Sequence, residues 1–218
     1  MAIDLVKGQR VSLDAGLTQI KVEMGWKVNP NATPPYDLDA STFLLGEGGQ
    51  IENEYDFVFY GSPNKTIING EERPCSVDKS VIGSVDDLGD DDDDTGEGKE
   101  EIEVDLTKTS PAVREILFTV SIYWEPQEDV NSPVNAPRVK YNFGQVRDAY
   151  IQIINALTGD IICRYDLDED FSTDKGVEFG RLYRRGVEWK FQAVGEAHKD
   201  GLGPICKKYA SRFMPKPE

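Results

Sequence analysis

Apolar and polar residues alternate along much of the chain, as in β-strands that bury one face. The clearest run has an apolar residue at every second position: Ile20, Val22, Met24, Trp26 and Val28. A second run, Ile102, Val104 and Leu106, alternates with acidic residues in the same way. Each run predicts a strand whose apolar side faces a core.

Predominantly apolar segments predict more deeply buried strands at 57–60 and 116–124. Strand-like segments on either side of short turns predict hairpins over 150–165 and 182–193. One helix is predicted near the C-terminus, where apolar residues recur at helical spacing: Leu202, Ile205, Cys206, Tyr209 and Phe213. Many short strands and few helices favour a mainly β fold, a β-sandwich or a barrel.

The chain has 218 residues and no Gly/Ser linker that would divide it. We therefore expect a single domain over 1–218, with an acidic loop at about 84–101 and an extended loop at about 125–141. Prolines at 126, 133 and 137 disfavour a regular element in the second loop. The whole stretch of about 61–100 is predicted to be a long loop.

Charge is distributed unevenly within a net charge of −16. Residues 84–105 hold twelve acids and one lysine, a charge of −11, whereas 181–218 hold nine basic and four acidic residues, a charge of +5. So acidic a chain should repel nucleic acids and anionic membranes. Cations and basic surfaces are the expected partners. The basic hairpin around Arg184 and Arg185, together with the C-terminal helix that carries Lys207, Lys208 and Arg212, forms a separate candidate surface.

Targeting and redox signals are few. The first residues contain no apolar run of signal-peptide length, and no stretch is long enough for a membrane span. The cysteines, Cys75, Cys163 and Cys206, are odd in number and widely spaced, so they predict neither a zinc site nor a disulfide framework. A reduced, cytoplasmic location is the expected one.

The segment 84–101 has the chemistry of a cation-binding loop. Calcium takes six to eight oxygen ligands, and carboxylates on a glycine-punctuated loop supply them. The segment does not match an EF-hand loop, because Thr95 stands where the turn requires glycine and the flanking sequences do not predict helices. The alternative is that the five consecutive aspartates, Asp90 to Asp94, form only a solvated, disordered run.

A second acidic pair, Asp37 and Asp39, stands at the start of a predicted strand. Both side chains would share one face, while Leu38 would face the core. Two carboxylates on one face repel each other unless they are solvated or bridged by a cation. A surface pair with no ligand is the alternative.

Catalytic machinery is not evident. His198 is the single histidine, which excludes a histidine pair or a zinc triad, and its sequence context predicts a surface residue in a loop. The glycine-rich stretches match no phosphate-binding fingerprint. We therefore expect a protein without enzymatic activity.

Several blocks, taken together and in order, resemble the TerD family of tellurium-resistance and stress proteins. The blocks are 8–13 (GQRVSL), 24–29 (MGWKVN), 36–45 (YDLDASTFLL), 56–60 (DFVFY), 142–147 (NFGQVR), 164–167 (RYDL), 179–184 (FGRLYR) and 188–195 (EWKFQAVG). The resemblance implies a β-sandwich of roughly C2-like appearance that binds calcium through acidic loops at one end. It also implies a role in resistance to tellurite and other stresses.

The resemblance carries metal-binding roles to acidic residues in two regions. The block at 36–45 matches at Asp37 and Asp39, while the longer acidic loop aligns only in part. The ligand set that we predict is Asp37, Asp39, Asp86, Asp87, Asp90, Asp92, Asp94, Glu97 and Glu101. Lys27 stands where the family commonly has aspartate, which removes one candidate ligand.

Two functions follow as hypotheses. The first is a calcium-binding β-sandwich that serves as a stress-response interaction module with protein partners still to be identified. The second is a metal-independent scaffold whose acidic loop docks basic partners. Convergence of Asp37 and Asp39 with the 86–101 segment would favour the first.

Overall fold

Two six-stranded sheets pack face to face in a computed structural model that describes residues 2–27, 37–84, 97–123, 142–167 and 171–214. In spatial order, sheet A contains β1 (Ile3–Leu5), β12 (Ile161–Asp166), β11 (Arg147–Asn155), β3 (Gln19–Lys27), β9 (Glu97–Asp105) and β8 (Val81–Ile82). Sheet B contains β2 (Arg10–Ser12), β14 (Glu188–His198), β13 (Gly176–Arg185), β10 (Glu115–Tyr123), β4 (Asp37–Leu45) and β5 (Phe57–Val58). Only β1 and β12 pair in parallel; the other described pairs are antiparallel. The predicted mainly β sandwich is confirmed.

The core lies between the sheets and is built by the predicted alternation. From β3 it takes Ile20, Val22, Met24 and Trp26, which are all at most 6% exposed. Ile102 and Val104 of β9 join them, opposite apolar residues of β10 in the other sheet. Full burial of each large apolar side chain contributes about 1.5–3 kcal/mol relative to exposure, so this layer holds the sheets together.

The predicted C-terminal helix is confirmed as α1 (Leu202–Tyr209), which packs on the outer face of sheet B. Ile205 and Tyr209 of the helix meet Phe43 of β4 and Leu117 of β10 in a second apolar cluster. Phe213 lies beyond the helix and is 43% exposed. None of the helices in the described parts of the chain is both long and apolar enough to cross a membrane.

The region predicted as one long loop at about 61–100 contains regular structure. A two-stranded hairpin of β6 (Lys65–Ile68) and β7 (Glu71–Pro74) precedes β8. The buried strand predicted at 57–60 is shorter than expected, because Ser62 Oγ accepts from the Phe59 amide and donates to the Phe57 carbonyl, closing a turn. The proline-containing segment 125–141 lies outside the described residues.

The end of the sandwich opposite the start of β4 holds a cavity of about 280 Å³. Its polar lining includes Glu52, Asp56 and Asp78. Burial, followed by the nearby charge of Asp78, raises the pKa of Asp56 from 3.8 to about 6. Asp78 itself stays ionised because backbone and serine donors, including the Ser110 amide at 2.7 Å, hold its pKa below the usual value despite burial.

The first prediction concerns Gly180, which lies inside β13 where a Cβ would fall against the ring of Phe191. We expect Gly180→Ala to lower the free energy of unfolding by about 1–3 kcal/mol, the usual cost of overpacking a core. Gly48→Ala is the matched control, because a Cβ there meets nothing within 4 Å. Urea denaturation measures both, and equal stability of the two variants would contradict this packing.

The second prediction concerns pH. Because Asp56 is protonated more readily in the folded state, its contribution to stability falls as pH rises between about 4 and 6. Asp56→Asn should flatten this part of the profile and raise stability at pH 7 by about 1 kcal/mol, after allowance for solvent screening. Urea denaturation at four pH values tests this, with exposed Glu54→Gln as control; parallel profiles for Asp56→Asn and wild type would refute it.

Candidate metal centre

β4 positions the first predicted acidic pair. The strand begins at Asp37, and its register places Asp39 opposite Ser121 of β10. Leu38 is 1% exposed in the core, as predicted, and Asp39 is only 7% exposed. The side chain of Asp37 lies outside what the structure describes. Asp39 is therefore a buried carboxylate near the end of a strand and not an ordinary surface acid.

β9 brings a second buried carboxylate from the other sheet. Glu100 is 4% exposed and precedes Ile102 and Val104 at the same two-residue spacing, so it belongs to the inward-facing set. The resemblance extends to Glu100 among the acids of this loop, but the predicted ligand set contains Glu101 and not Glu100. The signal was present, because the alternation that buries Ile102 also assigns Glu100 to that face.

Asp39 and Glu100 line the same narrow cleft, where β4 of sheet B meets β9 of sheet A. Ser84, Ala40 and Ile102 also contribute to its walls. Two buried acidic residues from different sheets therefore line one cleft at this end of the sandwich, with Asp39 next to core-facing Leu38 in β4 and Glu100 on the inward-facing side of β9. The upstream acidic pair and the 86–101 segment thus each contribute one residue to the lining of this cleft.

The chain on both sides of the aspartate-rich segment is anchored beside this cleft. Ser84 Oγ donates to the Glu101 carbonyl at 2.9 Å and accepts from the Glu101 amide at 2.7 Å. After the segment, the backbone of Glu97 starts β9 opposite Lys27. The remaining predicted ligands and the Glu97 side chain lie outside the described residues: Asp86, Asp87, Asp90, Asp92 and Asp94.

Glu101, a predicted ligand, lies on the outer face of sheet A. Its carboxylate contacts Lys21 Nζ at 2.8 Å and Lys99 Nζ at 2.9 Å. Burial opposes its ionisation, but hydrogen bonds from these two ammonium groups outweigh burial and lower its pKa. The structure therefore brings Glu100, and not Glu101, into the cleft with Asp39.

The donor chemistry of the cleft fits calcium, which prefers oxygen ligands and takes six to eight of them. Asp39, Glu100 and Ser84 can provide some of these oxygens. Among the described residues, neither Asp39 nor Glu100 belongs to a close group of three histidine, cysteine or acidic side chains. A complete calcium site here would need further oxygens, which the adjoining aspartate-rich segment has in its sequence.

The prediction that His198 is a surface residue in a loop was wrong. His198 ends β14, its side chain is 13% exposed, and its Nε2 lies 2.8 Å from Oε1 of Glu178. Its partner Glu178 lies twenty residues earlier in the sequence and faces it only through the pairing of β13 with β14, which local sequence does not reveal.

Part of the predicted basic surface stabilises the fold. The guanidinium of Arg184 donates to the carbonyls of Thr109 and Ser110 and lies 4.6 Å from the centre of the Trp189 ring. Arg185 is exposed beside the hairpin tip, where Val187 is 98% exposed. Since β13 runs ten residues from Gly176 to Arg185, this tip lies at the other end of the sandwich from Asp39. The basic hairpin is thus separate from the acidic cleft, whereas Lys208 of the helix, the other part of the predicted basic surface, contacts Glu178 and Glu196 on sheet B.

Comparison with known proteins identifies relatives along the whole chain. The TerD domain family model matches residues 1–209. The chain is 34% identical over 213 residues to the tellurium resistance protein TerD of Serratia marcescens, covering 96% of this chain and 97% of that protein. It is also 34% identical over 214 residues to general stress protein 16U of Bacillus subtilis strain 168, covering 96% and 97% of the two chains.

A solved structure shares the fold. The crystal structure of a homologue of the telluride resistance protein (TerD) from Streptomyces coelicolor A3(2) superposes with a TM-score of 0.60 at 15% identity. The match covers 92% of this chain and 100% of the Streptomyces chain. Together with the family model and the curated relatives, this comparison leads to one conclusion: the chain belongs to the TerD family of tellurium-resistance and stress-response proteins.

Proposed function

We propose that this protein binds calcium at the Asp39–Glu100 cleft and acts as a non-enzymatic interaction module in the response to tellurite and other stresses. The observation that carries the proposal is the presence of two buried acidic residues, one from each sheet, in the lining of one cleft beside the anchored flanks of the aspartate-rich segment. Family membership supplies the stress context.

The position of the acids determines what calcium would do. Bound calcium would supply positive charge that offsets the repulsion among acidic groups. Since Asp39 belongs to β4 and Glu100 to β9, an ion held by both would join the two sheets across the cleft. Acids of the 86–94 segment would complete the oxygen shell and be drawn against the sandwich. Calcium would thereby set the charge and shape of the surface that a partner meets.

The described side chains support a non-enzymatic role. Burial raises the pKa of Cys163 to about 12 and that of Cys206 to about 11, so both thiols stay protonated and are poor nucleophiles toward tellurite. The single histidine already contacts a buried glutamate. A reduced, cytoplasmic setting is part of the same proposal.

The alternative is a metal-independent scaffold that docks basic partners, and the outer face of sheet A favours it. There Glu101 pairs with Lys21 and Lys99, while Glu103 pairs with Arg73. This face already joins acidic groups of β9 to basic side chains without a metal. A basic partner bound in this way would dissociate with added salt whether or not calcium is present.

The third prediction is that calcium stabilises the fold. An ion that binds only the folded state adds about 2.7 kcal/mol at a hundredfold excess over its Kd. The midpoint of thermal unfolding should rise when calcium is added to chelator-treated protein, and magnesium should do less because it requires stricter octahedral geometry. An unchanged midpoint in millimolar calcium would favour the metal-independent scaffold.

The fourth prediction compares calcium binding by variants of Glu100 and Glu101, two neighbouring acids whose side chains lie on opposite faces of sheet A. We expect Glu100→Gln or Asp39→Asn to weaken calcium binding at least tenfold, or about 1.4 kcal/mol, because each removes a charged oxygen ligand. Glu101→Gln should have a smaller effect, since its side chain contacts Lys21 and Lys99. Exposed Glu188→Gln at the far hairpin controls for net charge.

Calorimetric titration of the four variants with calcium measures these affinities. A large loss in Glu101→Gln with none in Glu100→Gln would return the ligand role to Glu101, the residue selected from sequence. Unchanged affinity in both Asp39→Asn and Glu100→Gln would place calcium elsewhere.

A further inference from the structure

A second group of potential metal ligands lies on the outer face of sheet B, where β13 and β14 pair. Glu178 stands directly opposite Glu196 in the register, and His198 follows Glu196 at the two-residue spacing that keeps both on one face. One carboxylate oxygen of each glutamate and one imidazole nitrogen lie within 4.8 Å of one another. This is the one such three-residue cluster among the described residues.

The cluster already surrounds a positive charge from the chain itself. Lys208 of α1 places Nζ 3.0 Å from Glu178 and 3.1 Å from both carboxylate oxygens of Glu196. Glu178 is 2% exposed on its side chain and also contacts His198 Nε2 and the Tyr209 hydroxyl, both at 2.8 Å. The ammonium of Lys208 therefore occupies the position where a cation would balance two opposed carboxylates.

The charge balance there favours a divalent ion over an ammonium. Like charges directly opposite on neighbouring strands destabilise a sheet, and one ammonium offsets only one of the two carboxylates. Lys208 brings one positive charge to the two opposed carboxylates, whereas a divalent ion would bring two.

The ligand types indicate which ion. One imidazole and two carboxylates suit zinc and similar transition metals, whereas calcium prefers oxygen ligands alone. Three protein ligands would leave a fourth tetrahedral position for water. The chemistry thus differs from that of the Asp39–Glu100 cleft.

We propose that Glu178, Glu196 and His198 form a zinc-class metal site for which the ammonium of Lys208 and the metal compete. Lys208 can leave, because its side chain is 41% exposed and its ammonium can enter water. The apolar contacts of Ile205 and Tyr209 with sheet B would remain. Metal entry therefore exchanges one cation for another without unpacking α1.

The single histidine makes a direct test possible. Zinc binds an unprotonated nitrogen, so Nε2 of His198 loses its hydrogen on binding and the remaining ring hydrogen sits on Nδ1. In the full-length protein saturated with calcium, we expect substoichiometric zinc to change the ¹⁵N resonances of this one imidazole, with saturation at one equivalent. An imidazole spectrum unchanged by excess zinc would overturn the proposal.

Two variants test whether Glu196 binds zinc and whether the ammonium of Lys208 competes with it. Glu196→Gln changes a half-exposed side chain and should weaken zinc binding at least tenfold, while Glu188→Gln on the same hairpin leaves the affinity unchanged. Lys208→Met removes the competing ammonium and should tighten zinc binding at least tenfold. Zinc should also raise the unfolding midpoint of Lys208→Met more than that of wild type.

Affinity unchanged in Glu196→Gln would place zinc elsewhere and overturn the site. Zinc binding equal or weaker in a folded Lys208→Met variant would overturn the competition.

Discussion

Carboxylates taken out of water must meet hydrogen-bond donors or positive charge, and this requirement shapes both sheets of this acidic chain. On sheet A, Glu23 is 8% exposed and accepts from the Tyr150 hydroxyl at 2.8 Å and from Gln152 Nε2 at 2.7 Å. On sheet B, Glu178 is buried beneath α1, whose Lys208 and Tyr209 both donate to it. The polar contacts of Glu178 thus add direction to the apolar packing that places the helix.

The alternation of apolar residues made the strands predictable, and it fixed which side chains point inward. Ile20 to Trp26 and Ile102 to Val104 lie in the core as expected. Once Ile102 is inward, Glu100 is inward and Glu101 outward, so the same pattern predicts which of these two acids faces the space between the sheets. Which strands become neighbours was not predictable, because pairing such as β3 with β9 joins residues about eighty positions apart in the sequence.

The errors arose where tertiary contacts decide the outcome. His198 was assigned to a surface loop because nothing near it in sequence announces Glu178, which lies twenty residues earlier and faces it only after β13 and β14 pair. The hairpin of β6 and β7 was not predicted, because the turn-forming residues around it favour a loop. Phe59 and Tyr60 continued an apolar run, yet Ser62 closes a turn that ends the strand after Val58.

The two candidate cation sites lie along one line across sheet B. The registers connect Asp39 to Ser121, Ser121 to Gly176 and Gly176 to His198, which are three interstrand steps of about 4.8 Å each. The separation of about 14 Å exceeds the Debye length of about 8 Å at physiological salt, but salt screens buried charges such as Asp39 and Glu178 much less than exposed ones. Their ligand chemistry also differs, with oxygen donors at one end and an imidazole at the other. On these proposals, sheet B would contribute to a calcium-type site at β4 and hold a zinc-type site at β13 and β14, with β10 between them.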